Sequence, residues 1–441
     1  MDLTSLIHGP GGAVFTLLAF IVALSVIVAI HEYGHYIVGR WTGIKADVFS
    51  IGFGKVLLSR TDRHGTVWQI AALPFGGYVK FAGDSNAASV GGEEVAPGRD
   101  PRETMLGAPL WARALTVAAG PVFNFILAVA IFAGYQMWQG QPTDVLTVDD
   151  SYTLPAQFVN ELRPGDEILA VEDMAFGEEG MDVDALPDQP SFDYTVLRDG
   201  QEIVVQGPHP LVPRVDALAP RSASDDAGLR VGDVITAIDG TEIYAFNDLV
   251  EAVQAAEGDP LTLDVWRGGD TLTVELNPRP TDEPQPDGGF ERIWRIGIIG
   301  SFFFTPVTDP VGPLEAVEIG AQRLWFTITT SLSGMWHLIV GDISTCNLSG
   351  PVAIAQASGS MAAQGTSSFV LFIGMLSAAV GLLNLFPIPI LDGGHLVFHA
   401  YEAVVRRRPS DRAFQVLMAG GLALIGALMA FALLNDLWLC P

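Results

Sequence analysis

The sequence predicts a multi-pass α-helical membrane protein of four spans, with a membrane-associated β-hairpin region and two small extracytoplasmic α+β domains. Three observations predict it. Hydrophobic residues make up 49% of the chain and mean hydropathy is +0.36, yet the formal net charge is −27. The acidity is segregated, because residues 140–365 hold 37 Asp/Glu against 10 Lys/Arg. Apolar runs of membrane-crossing length lie on both sides of that acidic block. With no large basic patch to neutralise phosphates, the composition excludes a nucleic-acid partner.

Lysine and arginine set the orientation. Residues 40–113 hold nine of them, and Arg406, Arg407, Arg408 and Arg412 form a second cluster. The positive-inside rule places both segments in the cytoplasm and the acidic block outside, together with the N-terminus. In a bacterial inner membrane the outside is the periplasm. The opening MDLTSLIHGPGG has an acidic residue and no basic region, so the first apolar run reads as a retained span rather than a cleaved signal. Cys346 and Cys440 fall on the outer, oxidising side.

Residues 1–40 form the first span, apolar from about Ala13 to Val38 and ending in HEYGH. On a helix His31 and His35 stand one turn apart on one face. That spacing lets two imidazole nitrogens meet one tetrahedral zinc, with Glu32 between them placed to take a proton from an attacking water. At 1.5 Å per residue His31 lies roughly 27 Å along the span, near the cytoplasmic edge of the hydrocarbon layer. Three ionisable residues within five positions of a lipid-length helix are costly unless they function.

Residues 41–107 follow. Their alternation (Val67, Gln69 and Ala71 against Trp68, Ile70 and Ala72) and Gly-rich turns predict β-hairpins over 44–82. So apolar a hairpin beside a metal site could hold an extended peptide by main-chain pairing, or simply lie on the membrane surface. Residues 83–104 read as a polar loop. The second span, 108–139, carries Gly120, Pro121 and Asn124 at mid-membrane. Pro lacks a helix donor and Asn is expensive in lipid, so both face protein or the site, or Pro121 marks a structural kink.

The acidic block repeats itself. Residues 162–171, LRPGDEILAV, align with 229–238, LRVGDVITAI, at an offset of 67, which predicts two copies of one domain over 140–208 and 209–280. Each reads as strands joined by tight turns, and the second adds a helix over FNDLVEAV. Residues 281–365 begin with a Pro/Asp linker and continue into an amphipathic helix over 313–340. Leu324–Val340 is apolar enough to suggest a span, but Glu315, Glu318, Arg323 and His337 interrupt the segment. A span there would put Asp392 on the opposite side from His31, so it reads as a helix on the outer surface. The third span, 366–395, ends in NLFPIPILDGGH, whose prolines break the helix and turn a side chain into the bundle at the depth of His31. A basic cytoplasmic loop, 396–412, leads to a Gly/Ala-rich fourth span, 413–441. Zinc needs a third ligand and an open position, and spacing alone leaves Asp392, His395 and His399 as candidates.

HEYGH, GPVFN at 120–124, the tandem repeat, NLSGP at 347–351 and NLFPIPILDGGH at 384–395 together resemble the site-2 protease family of intramembrane zinc metalloproteases. The repeats resemble permuted bacterial PDZ domains, although MAFGEEGMDVDALPDQP in the first copy departs from that pattern. The resemblance implies one Zn²⁺ held by His31, His35 and Asp392, with Glu32 catalytic. It implies substrate handling by Asn384, Pro387 and Pro389, to which Gly76, Gly77 and Asn124 are added. The partners implied are pre-trimmed single-span membrane proteins of the anti-sigma-factor type and remnant signal peptides, cut within the lipid bilayer during regulated intramembrane proteolysis in an envelope stress response. Outer PDZ-like domains would recognise peptides or exclude intact substrates by bulk. A non-catalytic PDZ scaffold would leave the His31, Glu32, His35 and Asp392 set unexplained, and a transporter would require an inverted repeat among the spans that the sequence lacks.

Overall fold

A computed structural model describes residues 12–83, 100–175, 183, 186–187, 189–285 and 289–439. Expectations for most of the 83–104 loop, for much of the divergent segment of the first repeat and for Cys440 fall outside the described residues. Among the described residues, four helices are long and apolar enough to cross a membrane: Gly12–Trp41, Leu110–Gln139, Thr366–Asn384 and Asp411–Leu439.

Helix α1 (Gly12–Trp41) leads into two long strands, β1 (Ala46–Thr61) and β2 (Val67–Phe81). Their pairing is more than a simple hairpin. Phe53–Thr61 runs against Val67–Leu73, but Val48–Ile51 folds back to register with both Val67–Ile70 and Gly77–Lys80. Gly52 makes that turn possible, with φ of +91° and a backbone oxygen of Leu73 2.8 Å from where a Cβ would sit. The inner half packs on α1 through Tyr36, Phe49 and Phe81. The outer half leaves Phe53, Leu57, Leu58 and Leu73 exposed, as apolar side chains facing lipid would be.

Helix α2 (Leu110–Gln139) carries the chain to the acidic block. Its first four-stranded sheet holds β3 (Glu167–Val171), β4 (Met174–Ala175), β5 (Phe192–Arg198) and β6 (Gln201–Gly207) in the order β4-β3-β5-β6. The second holds β7 (Val234–Ile238), β8 (Thr241–Glu242), β9 (Leu261–Arg267) and β10 (Asp270–Leu276) in the matching order β8-β7-β9-β10, with helix α3 (Phe246–Ala255) between β8 and β9. Each sheet is stapled by an Arg–Asp pair: Arg198 to Asp166 and Arg267 to Asp233, both at 2.7 Å. Burial alone would raise the Asp166 carboxyl, but hydrogen bonds from Arg198 and the Arg163 N–H outweigh it and hold the group below the usual carboxylate value. The block closes where it began, because residues 141–142 pair with 308–309 and 148–151 with 304–306.

Between the second sheet and the lipid-length helices the stretch read as a linker contains a hairpin, β11 (Arg279–Pro284) with β12 (Phe290–Arg295). Helix α4 (Pro313–Val340) is not one of the four apolar helices. It lays Ala316 and Gly320 on α2, with Val129 O 2.8 Å from the position of a Gly320 Cβ, and exposes Trp325, Phe326, Trp336 and Ile339. Helix α5 (Pro351–Gln364) is held at both ends. Asp436 accepts the N–H groups of Gly350, Val352 and Ala353, a carboxylate at a helix N-terminus. At the other end the Gln364 amide pairs with the Leu218 backbone.

Helix α6 (Thr366–Asn384) packs on α2. It ends at Asn384, and Asp392 opens a separate helix, α7 (Asp392–Val405), so residues expected as loop from 396 onward are helical as far as 405. Helix α8 (Asp411–Leu434) follows, capped by Ser410.

Candidate metal centre

The site forms where α1 crosses α2. Two glycines permit the crossing: a Cβ on Gly34 would lie 2.5 Å from Ala119 O, and one on Gly120 would lie 2.4 Å from His35 Nε2 and 2.7 Å from His31 Cε1. The two imidazoles, one turn apart, bring their Nε2 atoms to 3.1 Å. His35 Nδ1 donates to Thr116 O at 2.8 Å, which puts the ring proton on Nδ1 and leaves the Nε2 lone pair facing inward. His31 Nδ1 lies 3.2 Å from the Asn124 side-chain amide.

Asp392 arrives from the opposite direction. After Asn384 the chain folds back on itself, with Ile388 N–H bonded to Phe386 O and Leu391 N–H to Ile388 O. Gly393 and Gly394 tuck under that loop, and a Cβ on Gly393 would meet Leu385 O and Phe386 O, each at 2.3 Å. Asp392 therefore stands as the first residue of α7, where the free N–H groups favour a carboxylate. Its Oδ2 lies 3.1 Å from His31 Nε2 and 3.5 Å from His35 Nε2. That oxygen is buried and accepts no hydrogen bond. Among the described residues His31, His35 and Asp392 make the one group of three donors close enough to hold a metal, all within 4.8 Å of one another. Two imidazoles, one carboxylate and an orphaned buried oxygen suit the three-ligand set of a catalytic zinc.

The other expected residues divide into those near the centre and those beside it. Glu32 follows His31 on α1 and touches Gly77, whose Cβ position is 3.5 Å from Glu32 Cγ. Gly76 lies against the Phe53 ring. Asn384 closes α6, donating to Val380 O at 3.0 Å; Pro387 is exposed, and Pro389 packs beside Gly421 of α8. Of the two histidines that spacing left open, His395 packs near Phe398 and Phe414, and His399 sits one turn further along α7 with its Nδ1 buried and unpartnered. Neither joins the donor cluster. The hairpin expectation needs one revision: Val67–Ile70 is paired on both sides, whereas Gly77–Val79, beside Glu32, pairs with β1 on one side.

Two contributors, Thr116 and Arg113, escaped sequence reasoning, and Gly120 reads as a mid-membrane residue without its role of clearing both rings. Thr116 acts through its carbonyl, for which no side-chain pattern exists. Arg113 forms a two-pronged pair with Glu402 at 2.7 and 3.0 Å, tying the start of α2 to α7 across a sequence gap that no local pattern bridges.

Two histidines and an aspartate close enough to hold a metal, with Glu32 beside them on membrane-length helices, are the arrangement expected of a zinc metalloprotease of the membrane. Comparison with known proteins specifies the family: the profile of Peptidase family M50 matches residues 19–428, and the chain belongs to that family. It is 37% identical over 440 residues to a Rhizobium meliloti protein that carries a zinc metalloprotease name, covering 96% of this chain and 97% of that one. It is also 34% identical over 457 residues to the regulator of sigma-E protease RseP of Salmonella typhimurium, covering 96% and 98%.

Proposed function

We propose that this chain hydrolyses a peptide bond inside the transmembrane segment of single-span membrane proteins already trimmed on the outer side. Anti-sigma factors of an envelope stress response and remnant signal peptides are the substrates proposed, and the sigma-E regulator among the relatives supports that choice. His31, His35 and Asp392 hold the zinc. When bound, zinc supplies a Lewis acid that polarises the scissile carbonyl and eases deprotonation of water. Glu32 takes the proton of the attacking water and passes it to the leaving nitrogen.

A helical substrate hides its carbonyls in its own hydrogen-bond ladder, so it must unwind before attack. The edge of β2 at Gly77–Val79, beside Glu32, is the strand we take the unwound segment to pair with. Asn384, Pro387, Pro389 and Gly76 are the further residues proposed to handle the substrate. The cytoplasmic ends of α1 and α2 carry the basic residues, which supports a site near the inner leaflet of a bacterial inner membrane with the N-terminus and outer block in the periplasm.

The two sheets form PDZ-like domains in this reading. The second has a groove of about 300 Å³ between α3 and residues 295–300, lined by Leu249, Val253, Ile296 and Ile298 among others, which suits an extended peptide end. A bulk filter is the second reading of the outer block, favoured by its closed attachment at residues 141–142 and 308–309.

The observation that carries the proposal is the convergence of His31, His35 and Asp392, with Glu32 next to them against Gly77 of β2. Purified wild-type protein and Glu32→Gln are compared for bound zinc and for cleavage of a trimmed single-span substrate. Both should hold one zinc, and only wild type should cleave. Appreciable turnover by Glu32→Gln overturns the assignment, and a metal-free wild-type protein revives the scaffold.

A further inference from the structure

Asn124 is fully buried, and in the sequence it reads as a substrate contact. Its surroundings say otherwise. Ser377 of α6 donates to the Asn124 backbone oxygen at 2.9 Å, so the residue is clamped between α2 and α6. Its side-chain nitrogen lies 3.2 Å from His31 Nδ1, while Asn124 Oδ1 is buried without a hydrogen-bond partner. As placed, Asn124 donates to Nδ1, which puts the His31 proton on Nε2, the nitrogen facing His35 and Asp392.

That tautomer cannot ligate through Nε2. A histidine bound by Nε2 carries its proton on Nδ1 and needs an acceptor there. With the amide as it stands, two N–H groups would then oppose each other at 3.2 Å. A half-turn about the last side-chain bond exchanges Oδ1 and Nδ2 within the same footprint. Either orientation leaves one end of the amide unpartnered, so the position of the His31 proton decides between them.

We propose that Asn124 is a positioning residue whose Oδ1 accepts the His31 Nδ1–H in the zinc-loaded protein, completing for His31 what the Thr116 carbonyl does for His35. The inference rests on the zinc ligand set proposed above. It also accounts for the pairing of Gly120 and Asn124 in GPVFN: one turn of α2 clears both rings and the next supplies the acceptor.

The test measures zinc affinity by competition with a chelator in the purified full chain, with folding checked by thermal unfolding in excess chelator. Asn124→Leu keeps the volume and removes the acceptor, and zinc affinity should fall about 10- to 100-fold. Asn124→Asp keeps the acceptor in the same shape and should stay within a few-fold of wild type, a rescue that packing alone would not produce. Should Asn124→Leu fail to fold, Asn124→Ala takes its place. Wild-type zinc affinity in a folded Leu or Ala variant overturns the inference, as does a tenfold or greater loss in Asn124→Asp. His31→Ala is the control: if it too retains zinc, the ligand set itself has failed rather than the role of Asn124.

Discussion

His31 and His35 reach the candidate metal centre from inside an unbroken 30-residue helix, whereas Asp392 reaches it from the first residue of a helix that follows a folded-back loop. The helical half derives its geometry from local rules. One turn of α1 sets the spacing of the rings, and two glycines let α2 approach closely enough to fix their rotation. In the other half the geometry is tertiary, since the loop after Asn384, the glycines beneath it and the Arg113–Glu402 pair must all agree before Asp392 points inward. A site assembled this way divides its risk: the helical half is robust to distant change, and the loop half is sensitive to it.

The largest expected effect breaks the helical half. Gly120→Val places carbon atoms where both rings now stand, within 2.4–2.7 Å of the bare Cβ position. The variant should bind no zinc and lose more than about 10²-fold in cleavage, the scale of a 1 Å misplacement at a reacting centre. Metal content and turnover of the purified variant check this. Stoichiometric zinc would show that the rings can move aside without losing their aim.

Gly393→Ala tests the loop half. Its Cβ would meet two backbone oxygens at 2.3 Å, so the loop must shift and carry Asp392 with it. Because the histidines stay in place, zinc should weaken by about 10- to 100-fold rather than vanish. Chelator competition reads the difference, and a loss equal to that of Gly120→Val would erase the distinction between the halves.

The same distinction governs what was legible in the sequence. HEYGH could be read because a 3.6-residue period converts spacing directly into shared facing. The four apolar helices could be read from length and hydropathy. Asp392 could not be chosen from His395 and His399 by spacing, since its direction depends on a fold-back whose cause lies in backbone contacts with Gly393 and Gly394. The double pairing of Val48–Ile51 was equally hidden, because alternation along 67–72 describes a strand and says nothing about how many neighbours it has. Residues 396–405 read as loop because the glycines before them and the arginines after them mask a helix that tertiary contacts hold in place.

The smallest effect should come from Arg113, which never approaches the metal yet secures the helix that Asp392 begins. Arg113 and Glu402 are mostly buried, with side chains 8% and 18% exposed, so removing one partner strands the other in a poorly solvated site. Arg113→Met should therefore destabilise the protein by about 3 kcal/mol, read by thermal unfolding in detergent. Replacing both partners with apolar residues of similar size, Arg113→Met with Glu402→Leu, should recover most of that loss, because a buried ion pair usually contributes little beyond its well-packed apolar counterpart. Zinc affinity then separates two roles for the pair. If the double variant regains both stability and zinc, α7 is positioned by packing and the pair only needs to be complete or absent. If stability returns while zinc stays weak, the guanidinium fork is what aims α7, and the sensitivity of the loop half extends from Asp392 to the start of α2.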